Sequence, residues 1–311
     1  MMKGAQKSMS KLTENRWYIY QKERFPIAMY FPMILAFSTS AVGYASIIRG
    51  GKIGILSLIT SFITSFTVFA LLRIADEHKD FEDDSKYRPY RPVPRGLVKL
   101  SELRNIGIAL LIIELVFAVW LSYQLIPLLA VAWLYLLMMR KEFFCGKWLR
   151  AHPVIYMLSH MIIMPILDFY ATACDFVPLG KWYIASQVLW FISSSFLDGI
   201  VIEVGRKMRA PGDEEEGVET YSKIWGRKVC TAVWLGSQAA SMVCTFIATA
   251  HIGRALPAYI ILPVVLVFNI VYCVKYAKSP TTKNSKGIET LSGVWAILEY
   301  CALGILPLLC Y

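Results

Sequence analysis

The chain has 311 residues, 57% of them hydrophobic and 17% charged, with a mean hydropathy of +0.51 and a formal net charge of +10. Its apolar residues fall in stretches of about 20, the length that crosses a bilayer core, which excludes a soluble enzyme, a disordered tail and a secreted disulfide scaffold. The seven cysteines (Cys145, Cys174, Cys230, Cys244, Cys273, Cys301 and Cys310) form no CxxC pair and mostly sit inside apolar runs, so they read as packing residues rather than zinc ligands.

Residues 1–25 form a polar, basic tail (Lys3, Lys7, Lys11, Arg16, Lys22, Arg24). They contain no short apolar core followed by a small-residue cleavage site, so no cleavable signal is expected. Residues 26–311 read as one membrane domain. Nine apolar runs follow, near 26–48, 53–73, 103–123, 125–139, 153–173, 182–202, 229–250, 256–274 and 289–310, the first long enough to remain in the membrane as an anchor. With the N-terminus in the cytoplasm, 28 of the 32 lysines and arginines fall on the cytoplasmic side, and only Arg49, Lys52, Lys181 and Arg254 on the other. That bias explains most of the positive charge without nucleic acid, and an even number of spans would destroy it. The expectation is an all-α, multi-pass integral membrane bundle of nine transmembrane helices.

Twelve of the 22 acidic residues occupy two short segments, both on the basic side, within the cap loops 74–102 and 203–228. The first holds Asp76, Glu77, Asp80, Glu82, Asp83 and Asp84; the second holds Glu203, Asp213, Glu214, Glu215, Glu216 and Glu219. A charge run usually means a solvated face, but three features argue for a site. Asp76, Asp80 and Asp84 recur every four residues and so share one face if the second span continues as a helix; like charges at that spacing are tolerable beside a divalent cation, and an all-oxygen set suits Mg²⁺ held together with phosphate. A proline-stiffened loop follows, Tyr87-Arg88-Pro89-Tyr90-Arg91-Pro92-Val93-Pro94-Arg95-Gly96, whose three arginines suit bidentate phosphate binding. The second segment repeats the mixture with Glu203, Arg206, Lys207, Arg209 and Asp213, so two patches could clamp a polyanion.

These stretches resemble the UbiA superfamily of membrane-embedded prenyltransferases. Asp76-Glu77-x-x-Asp80-x-x-x-Asp84 followed by Arg91-Pro92-Val93-Pro94-Arg95-Gly96 is similar to the family's N-D-x-x-D-x-x-x-D and R-P-x-P-x-G motifs, with Asp76 in place of Asn and Glu77 in place of Asp. The second motif departs from D-x-x-x-D: Glu203 stands where Asp is expected, Lys207 interrupts, and Asp213 and Glu214 come later. The resemblance implies nine helices around a central cavity capped by both acidic segments, with metal on Asp76, Glu77, Asp80, Asp84, Glu203 and Asp213. It also implies diphosphate contacts from Arg88, Arg91, Arg95, Arg206, Lys207 and Lys141. The implied activity is Mg²⁺-dependent ionisation of an isoprenyl diphosphate and transfer of the prenyl group to an aromatic or lipid acceptor. A terpene cyclase that needs no acceptor is the alternative, and a transporter a remote one, because the carboxylates lie at one membrane face and not at the midplane.

Glu114, His160, Asp168, Asp198 and Glu299 fall inside predicted spans, where an ionisable group is costly unless paired. Asp198 is a candidate to support the metal site, and His160 and Asp168, two turns apart, to line a common cavity. Interhelical hydrogen bonds are the expectation for Glu114 and Glu299, and rank ahead of the cavity for His160. His78 should turn away from the aspartate face. Many of the 42 aromatic residues belong to interfacial belts, while others could line a prenyl cavity and face a carbocation.

Overall fold

The computed structural model describes residues 15–309; the basic positions Lys3, Lys7 and Lys11 and the last cysteine, Cys310, lie outside them. We label the helices in chain order: α1 (Arg16–Arg24), α2 (Ile27–Arg49), α3 (Ile55–Lys79), α4 (Phe81–Tyr87), α5 (Leu100–Leu121), α6 (Ile126–Arg140), α7 (Gly146–Ala151), α8 (Pro153–Met161), α9 (Ile163–Phe176), α10 (Leu189–Arg206), α11 (Tyr221–Ile224), α12 (Gly226–His251), α13 (Leu256–Lys278), α14 (Thr282–Tyr300) and α15 (Leu306–Leu309). No strand occurs among the described residues.

Eight described segments are long and apolar enough to cross a membrane: Ile27–Arg49, Ile55–Lys79, Leu100–Leu121, Tyr123–Arg140, Pro153–Leu179, Gly226–His251, Leu256–Lys278 and Thr282–Leu309. The remaining expected span is α10, whose 18 residues include Asp198, Glu203 and Arg206. Among the described residues eight segments thus qualify by length and composition, close to the expected nine, and α10 packs among them as a further, more polar helix. Helices α5 and α13 carry runs of exposed aliphatic side chains, including Ile108, Ile112, Val116, Val264, Val267 and Val271, which suit a lipid environment and not water. The chain is an integral, multi-pass membrane protein.

Several boundaries differ from the expected ones for identifiable reasons. The second span continues to Lys79 instead of stopping near residue 73, so the first acidic segment begins on a rigid helix. The third and fourth spans meet through a 3₁₀ turn at Tyr123–Leu125, with Ser122 leaving helical geometry and its hydroxyl accepting from the Gln124 amide. The fifth span is broken at Ile162, between α8 and α9. The ninth begins at Thr282 and widens into a π turn at Cys301–Ile305. There a Cβ on Gly304 would stand 2.2 Å from the Ser40 carbonyl oxygen, so only glycine lets this turn touch the α2 backbone.

The helices close into a ring: α2 packs on α3, α9 on α2 and α10, α10 on α12 and α14, α12 on α13, α13 on α14, and α14 back on α2. Phe37, Tyr44, Tyr170, Phe176, Phe191 and Tyr300 form the core of one half, and Trp234, Trp295, Tyr276, Val201 and Val204 that of the other. At the end away from the acidic segments, Arg49 makes a two-pronged contact with buried Asp175 (Nε to Oδ2 2.8 Å, Nη2 to Oδ1 2.9 Å), tying the end of α2 to α9. Other intramembrane charges are also partnered: the Trp133 indole donates to Glu114 at 2.5 Å, and Ser241 and Thr245 donate to Glu299, both interhelical bonds as expected.

Cysteines placed at exposed Lys52 and exposed Lys283, in a chain whose exposed Cys145 is changed to Ser, should react with an impermeant maleimide from opposite sides of sealed vesicles. Reaction of both from one side contradicts the topology.

Candidate active site

The end of α3 sets the first half of the site. Arg73, Asp76 and Lys79 lie on successive turns, and Asp80 (φ −94°, ψ 7°) interrupts the helix before α4 begins. The four-residue register survives this break, because the Asp80 amide donates to the Asp76 carbonyl and the Asp84 amide to the Asp80 carbonyl, both at 2.8 Å. The three aspartates nevertheless have different fates. Asp76 and Asp80 line a central cavity of about 380 Å³. Asp84 is buried away from it, ion-paired to Arg88 at 2.7 Å and Arg91 at 2.6 Å. The third aspartate therefore fastens the proline loop and presents its two arginines to the cavity, which both of them line.

Glu77, the next residue round α3 from Asp76, is buried outside the lining and paired with Arg24 of α1. Arg95 does not line the cavity; it binds Glu23 (2.9 and 3.0 Å) and the Tyr90 carbonyl (2.6 Å), holding α1 against the loop. Lys141 is exposed just past α6, outside the cavity lining.

Helix α10 supplies the second half. Glu203 is buried at its last turn and contacts Arg206 at 2.5 Å and Lys207 at 2.9 Å, all three lining the cavity. Lys207 also lies over the Tyr221 ring, 5.2 Å from its centroid. Asp213 is elsewhere: it accepts from the Thr282 hydroxyl at 2.8 Å and borders a separate surface recess with Arg209 and Lys286. Of the glutamate run 214–216, Glu214 accepts from Thr220 (2.6 Å) and Ser222 (2.7 Å), and Glu215 from the Tyr90 hydroxyl (2.9 Å). Only Glu216 is left exposed. The structure thus brings together Asp76, Asp80, Arg88, Arg91, Glu203, Arg206 and Lys207, and keeps Glu77, Asp84, Arg95, Lys141 and Asp213 outside the lining.

Sequence reading missed Arg24, Arg73, Lys79, Tyr156 and Glu219 in this wall. Lys79 had a signal, its place three residues past Asp76 on the same helix; Arg24 had none, since its partner is 53 residues away. The expected face shared by His160 and Asp168 is split by the turn at Ile162. His160 lines the cavity, stacked on Tyr156 at 4.1 Å, whereas Asp168 is fully buried outside the lining. Asp198 lines the cavity and accepts from the Trp295 indole at 3.0 Å. His78 is turned to its own helix, its Nδ1 2.9 Å from the Ile74 carbonyl.

Charge is concentrated at one end of the cavity, and the inner wall is mainly apolar, with Phe37, Phe69, Ile163, Met161 and Met164 and the single carboxyl of Asp198. Among the described residues no three His, Cys, Asp or Glu side chains converge on a ready-made metal site. The carboxylates differ in how far they are satisfied. Asp84 and Glu203 have cations within 2.9 Å, but Arg73 stands 3.4 Å from Asp76, and Lys79 3.9 Å from both Asp76 and Asp80. Burial pushes the Asp80 carboxyl above its ordinary pKa, and the nearby Lys79 ammonium only partly opposes this. Two under-neutralised carboxylates one turn apart fit Mg²⁺, which takes one or two carboxylates and completes its shell with phosphate and water.

The sequence model of the UbiA prenyltransferase family matches residues 35–291. The fold is similar to the apo structure of a UbiA homolog from Aeropyrum pernix K1 (17% identity, TM-score 0.68, covering 88% of this chain and 97% of that one). It is also similar to the structure of a digeranylgeranylglyceryl phosphate synthase (16% identity, TM-score 0.58, covering 90% and 97%). No curated protein matches the chain by sequence.

Gly217 lines the cavity with φ +71°, and a Cβ there would lie 2.5 Å from the Tyr87 ring. Gly217→Ala should lower stability by about 1–2 kcal/mol from the left-handed backbone alone, before the ring clash is counted. Gly212→Ala, where a Cβ meets nothing, should change it by less than about 0.5 kcal/mol. Thermal unfolding in detergent checks both.

Proposed function

Because the chain belongs to the UbiA prenyltransferase family, we propose that it ionises an isoprenyl diphosphate in a Mg²⁺-dependent reaction and transfers the prenyl group to an aromatic or lipid acceptor. The observation that carries this reading is the polarity of the central cavity, with cations and most of its carboxylates at one end and a mainly apolar wall at the other. A prenyl diphosphate has the same division between a polyanionic head and a hydrocarbon tail.

Arg88 and Arg91 enter the cavity already oriented by Asp84, and Arg206 and Lys207 by Glu203, so four cations meet the diphosphate with little side-chain freedom left to lose. Asp76 and Asp80 would hold Mg²⁺, which when bound draws charge from the diphosphate as a Lewis acid. The bond between the allylic carbon and its oxygen then breaks, and the electron pair leaves with the diphosphate toward these cations. The carbocation is left among lining residues that include the aromatic Tyr30, Phe37 and Phe69, whose π density can stabilise positive charge. The surrounding apolar wall keeps out water, which would otherwise capture the cation before the acceptor does.

Asp76→Ala and Asp80→Ala should each reduce turnover by at least about 100-fold, the scale of losing an electrostatic contact to developing charge, while the protein remains folded and inserted. EDTA should arrest the wild type. The assay offers purified protein prenyl diphosphates of several lengths, with and without lipid extract. Full turnover in EDTA removes the metal from the reading, and a cyclic product from the diphosphate alone assigns a cyclase instead.

A further inference from the structure

The least expected group in the cavity is Lys79. Its ammonium sits between the two carboxylates that face the cavity, 3.9 Å from Asp76 Oδ1 and 3.9 Å from Asp80 Oδ1. Neither distance is a hydrogen bond. The close partner is on another helix: Nζ donates to the Tyr156 hydroxyl at 3.0 Å and lies 5.7 Å from that ring's centroid. Tyr156 is itself stacked on His160. Tyr156 thus holds the ammonium in place while occupying one of its three N–H donors. The other two stay near the carboxylates without a close acceptor, at the polar end of the cavity.

The charge balance of the wall points the same way. Seven lysines and arginines line the cavity against five aspartates and glutamates, so the side chains alone leave a positive excess with every acid ionised. Glu203 is in close contact with Arg206 and Lys207. Asp76 and Asp80 are the wall's carboxylates nearest Lys79, and Lys79 is placed against the repulsion they would exert on an incoming diphosphate.

Resting on the prenyl diphosphate reading above, we propose that Lys79 is a diphosphate-binding residue that takes the charge-neutralising place of one metal ion, so that the chain binds pyrophosphate before any divalent cation arrives. The ammonium donates its two unspent N–H groups to diphosphate oxygens while Tyr156 retains the third. Mg²⁺ on Asp76 and Asp80 then serves the ionisation step, and initial capture of the substrate does not require it.

The test is calorimetric titration of the purified protein in detergent with inorganic pyrophosphate, in EDTA and again with Mg²⁺. The wild type should bind in EDTA. Lys79→Gln should weaken that binding about tenfold or more, the scale of a charge-assisted hydrogen bond, and Lys79→Arg should restore part of it. Tyr156→Phe, which keeps the ring and removes the anchor, should weaken it by a smaller factor. Size-exclusion and unfolding profiles confirm that each variant is folded. Two results overturn the proposal: wild-type binding only when Mg²⁺ is present, or equal affinity of Lys79→Gln and wild type in EDTA. In the second case Lys79 only neutralises the carboxylates, and its loss should tighten Mg²⁺ binding instead. Failure to bind pyrophosphate under either condition would count against the prenyl diphosphate reading itself, which keeps the two failures apart.

Discussion

A carboxylate that stays ionised out of water must be given positive charge, and this constraint shapes much of the polar end of the protein. An unpaired ion in a low-dielectric bundle is costly enough that geometry is built around avoiding it. Glu77 is matched by Arg24, Asp84 by Arg88 and Arg91, Glu203 by Arg206 and Lys207, and Asp175 at the far end by Arg49. Two of these pairs, Arg24–Glu77 and Arg49–Asp175, join separate helices, α1 to α3 and α2 to α9, whereas the pairs on Asp84 and Glu203 are local and orient cations that line the cavity. Asp76 and Asp80 stand apart because their cations are held back at 3.4 to 3.9 Å. Chemistry is available where neutralisation is incomplete.

Rigid helix ends deliver these groups. Asp76 and Lys79 belong to α3, a helix of 25 residues, and Glu203 and Arg206 to the last turn of α10. Their positions are set by packing deep in the bundle and not by the loops beyond. The π turn after Tyr300 acts similarly on the inner wall. Its close seat against α2 fixes where the preceding turn ends, and Tyr300 lines the cavity just before it.

The bundle was largely legible in the sequence because its determinants are local. Runs of apolar residues and the lopsided distribution of lysine and arginine need no tertiary information, and even the tight passage between α5 and α6 is signalled by Ser122 and Gln124. The carboxylate series was legible as a series, since Asp76, Asp80 and Asp84 keep their helical register. What the series does was not. Asp84 differs from Asp80 because the chain breaks at Asp80 and because Arg88 and Arg91 fold back onto it, and neither follows from spacing. The same holds for Glu215, whose partner Tyr90 is 125 residues away, and for Arg95, whose partner Glu23 is 72 residues away. Pairings at that separation depend on which loops the bundle brings together, and a single sequence contains no local signal for them.

One link has a mechanical meaning. Tyr90, in the loop after α3, donates to Glu215 in the loop after α10, and Gly217 beside it is pressed against Tyr87. The two acidic segments are therefore latched to each other as well as to their own helices. Lifting either cover alone would break that hydrogen bond, worth about 1 kcal/mol, and uncover the Tyr87 ring in the same motion, so opening one segment carries a cost set by the other.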